Sequence, residues 1–444
     1  MTEIDPHRAA DRAHVKDLCH TRATLGLLVN STISVGENSL YLGQALRPDL
    51  FSPVRRRMIL EYCKWDPQIG DESVLLNQPM ILGAETWAKL CTAAEGMAAE
   101  IAEVEAELLK RPHLIPSLGM PGSLRRVLRS LSAADLASQV RTLRFDFHPT
   151  SEGWKVSEVN SDVPGGFTES SHFTAMMAEH YPWMRPAGNP LQAWCRAMTS
   201  SIGAAEVAIL YAPGYMEDQQ VASLLGATLQ QEGCAVHFIQ HPGEIRWQDR
   251  KAFLDEKRST VPLDAIVRFY QGEWLGNLPR RVGWHHLYSK SRTMVTNPGF
   301  AVLAESKRLP LVWRNLSSST DTLKAMFPEC RETSEVDSQP EEWVFKPAFS
   351  NTGDDVILSS LLDQAVWKSL RATILRHSHR WVAQRRFRTI PVRADSGEFS
   401  PCIGVYTING KAEGAYVRLA RGPVVDYRAS EAALLIENIH EGQQ

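Results

Sequence analysis

Between positions 84 and 110 the chain reads AETWAKLCTAAEGMAAEIAEVEAELLK. Apolar residues recur every three or four positions on a background of Ala, Glu and Lys, which predicts a long amphipathic helix. The first 30 residues are polar and helix-permissive. After a loop punctuated by Pro112, Pro116 and Pro121, SLRRVLRSLSAADLASQVRTL predicts one or two further helices. Residues 1–139 thus read as a mainly helical, scaffolding region. At Arg144 the period changes to two: RFDFHP and WKVSEVN alternate on either side of a TSEG turn, the pattern of a β-hairpin. DVPGGFTESS is a glycine-rich loop, and HFTAMMAEHY a helix candidate. EVAILYAP, then DQQVASLLGATLQQEG ending on Gly233, then AVHFIQ make a β-α-β unit over roughly residues 206–240, with LDAIVRFYQ a further strand. Residues 201–300 therefore predict a small α/β open-sheet domain. In the last third EWVFKPAF, DDVILS and WVAQRRF read as strands, and CIGVYTING with GAYVRLA as a hairpin turned at Asn409–Gly410.

Composition narrows the function classes. Hydrophobic residues make up 43% of the 444, charged residues 22%, and the formal charge is −3 without a long basic run. That is ordinary for a globular protein and suggests neither nucleic-acid nor membrane-surface binding. Seven scattered cysteines include no CxxC pair, so neither a zinc site nor a disulfide framework is expected, and their odd number fits a reducing compartment. The N-terminus lacks the apolar stretch of a signal peptide, and no apolar run approaches a membrane span. The expectation is a cytoplasmic protein of undetermined oligomeric state.

The candidate chemistry begins in the first hairpin. Arg144 and Asp146 are two apart on one strand and share a face, as do Glu158 and Asn160 on the next. Two carboxylates and an amide oxygen form a hard-oxygen set suited to Mg²⁺, and a neighbouring arginine suits a phosphate or carboxylate. Taken alone, the pattern also describes a solvent-facing polar edge. In WVFKPAFSNTGDDVIL, Lys346 precedes a small-residue loop, Ser350, Asn351, Thr352 and Gly353, whose backbone N–H groups could face phosphate; the GxxxxGK[ST] loop is absent. Lys307 in ESKRLPLVW and Arg418 in GAYVRLARG read as surface cations when considered singly.

Taken in order, these segments resemble the glutathionylspermidine synthase-like family of circularly permuted ATP-grasp ligases. RFDF…GWKVSEVNSD, ESKRLPLVW, VFKPAFSNTGDDVIL and the hairpin ending GAYVR carry the resemblance over roughly residues 140–436. It implies an α+β fold: an ATP-grasp core part with the metal-ligand hairpin at 140–200, a pre-ATP-grasp-like α/β domain at 201–300, and the lid and remaining core at 301–444. It also implies ATP and two Mg²⁺ ions as cofactors. Asp146, Glu158 and Asn160 would hold metal. Lys307, Lys346, the lid Ser350–Gly353 and the Gln384 strand would hold ATP. Arg144 would face the acyl substrate and Arg418 the acyl phosphate. The implied partners are a small-molecule or peptide carboxylate and an amine, with Glu169, Glu217–Asp218 and Glu273 as candidates for an acidic amine pocket. The lid departs from the family in carrying a single glycine, GGFTESS departs from its usual sequence, and no cysteine–histidine amidase domain is expected from these residues. A kinase using the same nucleotide site, or a non-catalytic protein of this fold, are the alternatives.

Overall fold

The structure is a computed structural model that describes residues 33–35, 38–131, 140–255, 259–336, 338–350, 353, 355–394 and 396–438. The polar segment 1–30, residues 132–139 and two positions of the expected lid, Asn351 and Thr352, lie outside the described residues.

A six-stranded antiparallel sheet organises the molecule. Gly153–Asn160 pairs with Thr142–Thr150, then come Gly397–Ile408, Lys411–Ala420 and the short Ser430–Ala432, with Val392–Ala394 also on Gly397–Ile408. The last long hairpin turns at Asn409 and Gly410, both at positive φ, as the Asn-Gly pair predicts. Strand alternation gives this sheet two unlike faces. Phe145, Phe147, Val156, Val159, Ile403, Val405, Val417 and Leu419 are buried in one core with Leu90, Ala94, Met97, Ile101 and Leu108 of the helix Ala84–Lys110. Each fully buried Leu, Ile or Phe is worth about 1.5–3 kcal/mol, so this apolar seam is what lets the opposite face stay polar.

Within 201–300 the chain forms an open α/β sheet. Four parallel strands run Ala235–Ile239, Glu206–Tyr211, Ala265–Phe269, Met294–Thr296, and the helix Met216–Gln231 crosses between the first pair. A small antiparallel sheet, Ile245–Gln248 with Lys251–Asp255 and Thr260–Pro262, is inserted within it. Among the described residues before 132 the chain carries the helices Pro48–Leu60, Ala84–Lys110 and Gly122–Leu128, and it also supplies Ile33–Val35, Asn38–Leu42 and Met80–Leu82 to a five-stranded sheet. That sheet is completed by Leu434–Glu437 and Met184–Pro186. DDVILS does not form a strand among the described residues. Ile357 alone pairs, with Phe345, because a left-handed turn at Gly353 precedes it and a 3-10 turn at Ser359–Leu361 follows. HFTAMMAEHY is helical, but it is entered through a π turn, Glu169–Phe173, before Thr174–Ala178.

Candidate active site

The first hairpin contains a β-bulge. Thr150 pairs with Gly153, so an unbroken register would set Asp146 opposite Ser157. Instead Phe147 pairs with Val156 while Phe145 pairs with Val159 and Arg144 with Asn160. Ser157 and Glu158 together oppose Asp146, and beyond that point Asn160 shares the face of Arg144 and Asp146. The bulge therefore assembles the polar set that a two-residue turn would have separated.

Neighbouring strands extend this face. Arg144 registers with Tyr406, Asp146 with Gly404, Gly404 with Tyr416, and Cys402 with Arg418. Asp146 is fully buried and is the hub. Its Oδ1 accepts from Arg144 Nε at 2.9 Å, and its Oδ2 from Arg418 Nη2 at 2.6 Å and Asn160 Nδ2 at 3.1 Å. Burial alone would raise this carboxyl, but the guanidinium groups of Arg144 and Arg418 outweigh it and hold it ionised, well below its usual range. The centre of the Tyr416 ring lies 5.4 Å from the guanidinium of Arg144 and 5.6 Å from that of Arg418.

Gly404 makes this packing feasible. A Cβ there would lie 2.7 Å from Arg144 Cδ and 2.8 Å from Asp146 Oδ1. Gly404→Ala is expected to displace both side chains, and a shift of about 1 Å in a site costs on the order of 10²-fold in turnover. Far-ultraviolet circular dichroism, which should stay native, together with ATP turnover checks this.

The lysines come from the opposite side. Lys307 Nζ lies 3.3 Å from Glu158 Oε2 and donates to Ser350 O at 2.9 Å. Lys346 Nζ and Gln384 Nε2 both donate to Ser157 O at 3.1 Å, the carbonyl that the bulge turns out of the ladder. Burial would lower Lys307, but Glu158 and Glu305 raise it; at Lys346 burial prevails over Glu158 and lowers it. Lys346 is thus a nine-tenths buried ammonium without a carboxylate salt bridge among the described residues, an arrangement that favours an incoming anion. Nucleotide affinity should accordingly be highest at low pH and fall as pH rises through a midpoint below the ordinary lysine range. Lys346→Arg should flatten that fall, since a guanidinium stays charged. Titration of a fluorescent nucleotide across pH checks both.

Two cavities meet on this face. One, of about 410 Å³, is lined by Glu158, Lys346, Gly353, Gln384 and Arg418 among others. Gly353 sits at φ +70°, where a Cβ would lie 2.2 Å from Val425 O, so this end of the small-residue loop is closely packed. The other cavity, of about 290 Å³, carries Arg144, Asn160 and Arg418 together with Glu169, Glu217, Asp218 and Glu273. Burial raises Asp218 to about 7 and Glu273 to about 8.

All the expected site residues within the described set converge here: Arg144, Asp146, Glu158, Asn160, Lys307, Lys346, Ser350, Gly353, Gln384 and Arg418. Several further residues had no sequence signal of their own. Glu305 Oε2 accepts from the backbone N–H groups of Ser161 at 2.7 Å and Asp162 at 2.9 Å, fixing the end of the hairpin beside Asn160. Asp162 is salt-bridged to the buried Arg268 and accepts from Gly272 N at 2.7 Å, which ties the hairpin to the α/β domain. Among the described residues no group of three or more His, Cys, Asp or Glu side chains could hold a metal. The set Asp146, Glu158 and Asn160 is of a different kind, two ionised carboxylates and an amide whose oxygen is left over once its nitrogen has bonded Asp146. That donor chemistry fits a hard divalent cation. Among the described residues no helix is long and apolar enough to cross a membrane.

The fold is shared with a solved glutathione synthetase-like effector from Globodera pallida, in its apo form. The TM-score is 0.57 at 12% identity, over 88% of this chain and 97% of the effector. No curated protein sequence matches the chain. The glutathionylspermidine synthase pre-ATP-grasp family model matches residues 69–437, and the chain belongs to that family, whose members are ATP-dependent ligases.

Proposed function

We propose that the protein is an ATP- and Mg²⁺-dependent carboxylate–amine ligase that forms an amide through an acyl phosphate. One observation carries this reading: Glu158 and Arg418 line both cavities, so a lysine-bearing cleft and an acidic pocket open on the same pair of side chains. The metal hairpin precedes the lysines along the chain, which supports a circularly permuted ATP-grasp arrangement with core parts at 140–200 and 301–444.

A carboxylate is a poor electrophile, and transfer of the γ-phosphoryl group to it creates a leaving group. Such a transfer asks the protein for positioning and charge neutralisation rather than for a nucleophile. Lys307 and Lys346 would hold the phosphates, with Gln384 on the strand beside the adenine. Asp146, Glu158 and Asn160 would hold Mg²⁺, which when bound neutralises phosphate charge. Arg418, at the junction, would face the acyl phosphate, and Arg144 the acyl substrate. The amine nitrogen then attacks the acyl carbon, the C–O bond to phosphate breaks, and amide and inorganic phosphate leave. The acidic cavity suits a cationic amine, and the family's name suggests a peptide or amino-acid carboxylate with a polyamine. A screen of acid and amine pairs with ATP and Mg²⁺ tests the proposal. ADP should form only when both partners are present, with an amide mass in the same tube. ADP release that needs no amine contradicts it and favours a kinase.

A further inference from the structure

An ammonium group already sits in the acidic cavity. Lys64 Nζ lies 2.8 Å from Glu169 Oε1, 2.8 Å from Glu431 Oε2 and 3.1 Å from Asp66 Oδ1, with its side chain 5% exposed. The three carboxylates come from three places: its own loop, the π turn after the glycine-rich segment, and the short strand paired with that of Arg418. Tyr416 also donates to Glu431, at 2.7 Å. The loop carrying Lys64 is pinned. Lys64 N donates to Met58 O at 2.9 Å, and Trp65 N to Gln220 Oε1 at 2.5 Å. Lys64 precedes the residues that match the family model, so the family match does not supply it.

The same cavity has a second group of carboxyl side chains outside the Lys64 cluster. Glu217, Asp218 and Glu273 form no ion pair among the described residues. Asp218 accepts only from Gln271 Nε2, at 3.3 Å, and Gln271, 6% exposed, has no partner for its Oε1. A buried polar oxygen is rarely left unpaired, and this one lies beside the Asp218 carboxyl group, where an N–H donor would reach both.

We propose that Lys64 is a specificity-determining residue. Its ammonium is a built-in counterion that takes up part of the cavity's negative charge, so the pocket accepts an amine with fewer cationic groups than its carboxylates alone would hold. This rests on the amine reading of the cavity. Removing the Lys64 charge frees one carboxylate equivalent near the ligand and raises the relative affinity for a more highly charged amine; exchange for arginine does not.

The test is calorimetric titration of n-butylamine, 1,4-diaminobutane and a linear triamine into the wild-type, Lys64→Gln and Lys64→Arg proteins. The expected result is a shift of the triamine-to-diamine affinity ratio toward the triamine by roughly tenfold in Lys64→Gln, with the wild-type ratio kept in Lys64→Arg. A purely structural Lys64 would weaken all three amines together, and an unchanged ratio overturns the proposal. If Lys64→Gln does not fold, Glu431→Gln carries the test, because loss of a negative charge must move the ratio toward the diamine. Absence of binding by every amine to the wild type removes the amine reading itself, a failure distinct from amines that bind with an unaltered ratio.

Discussion

Glu158→Ala is expected to abolish ATP turnover while leaving a cooperatively folded protein. Glu158 sits on the bulge at 24% side-chain exposure, so its removal opens no core cavity. Its loss leaves Lys307 with Glu305 and the weaker influence of Glu273, and takes one of two anionic oxygen donors from the proposed metal set. Metal-assisted charge stabilisation is worth several kcal/mol, so turnover should fall on the order of 10³-fold. Asn160→Ala should follow, with the added effect of removing a hydrogen bond from Asp146. Thermal unfolding and ADP formation measured on the same preparations check this, and turnover within a few-fold of wild type in either variant would remove the hairpin from the metal site.

Arg418→Ala and Lys346→Ala should fail in different ways. Arg418 stands where the two cavities meet and its Nε is buried without a partner, which leaves a donor for charge that develops during the reaction. Its removal should lower kcat by about 3 kcal/mol of barrier, on the order of 10²-fold, with a smaller change in ATP affinity. Lys346 lines the proposed nucleotide cleft and not the acidic cavity, and its loss should raise the KM for ATP more than it lowers kcat. Steady-state kinetics with varied ATP separate the two. Equal loss of ATP affinity in both variants would contradict the division of roles.

What the chain's pattern disclosed was local. The helix Ala84–Lys110, the alternating hairpin strands and the Asn409–Gly410 turn each depend on neighbours within a few residues, and the structure places them where the periodicity does. The convergence of Asp146, Glu158, Lys307, Lys346 and Arg418 was legible through the order of the four family-like segments, not from any one of them. The remainder depends on contacts between distant segments. The bulge at Ser157–Glu158 follows from register across a sheet, which alternation alone leaves undetermined. Met80–Leu82 becomes a strand because Leu434–Glu437 pairs with it from the far end of the chain. Gly404 looks like an ordinary strand interruption until Arg144 and Asp146 are packed over it. Lys64 lies in a short loop of a region read as scaffold, and only the fold brings it to Glu169 and Glu431.

If phosphoryl transfer activates the carboxylate, one of its oxygens must leave with the phosphate. Isotope transfer tests it most directly: an acid substrate labelled with ¹⁸O in its carboxylate is turned over with ATP and amine, and the inorganic phosphate is analysed by mass spectrometry. An acyl phosphate route carries one carboxylate oxygen into each phosphate released, so label should appear in phosphate in step with amide. Unlabelled phosphate, with all of the label retained in the acid or its product, would rule out an acyl phosphate.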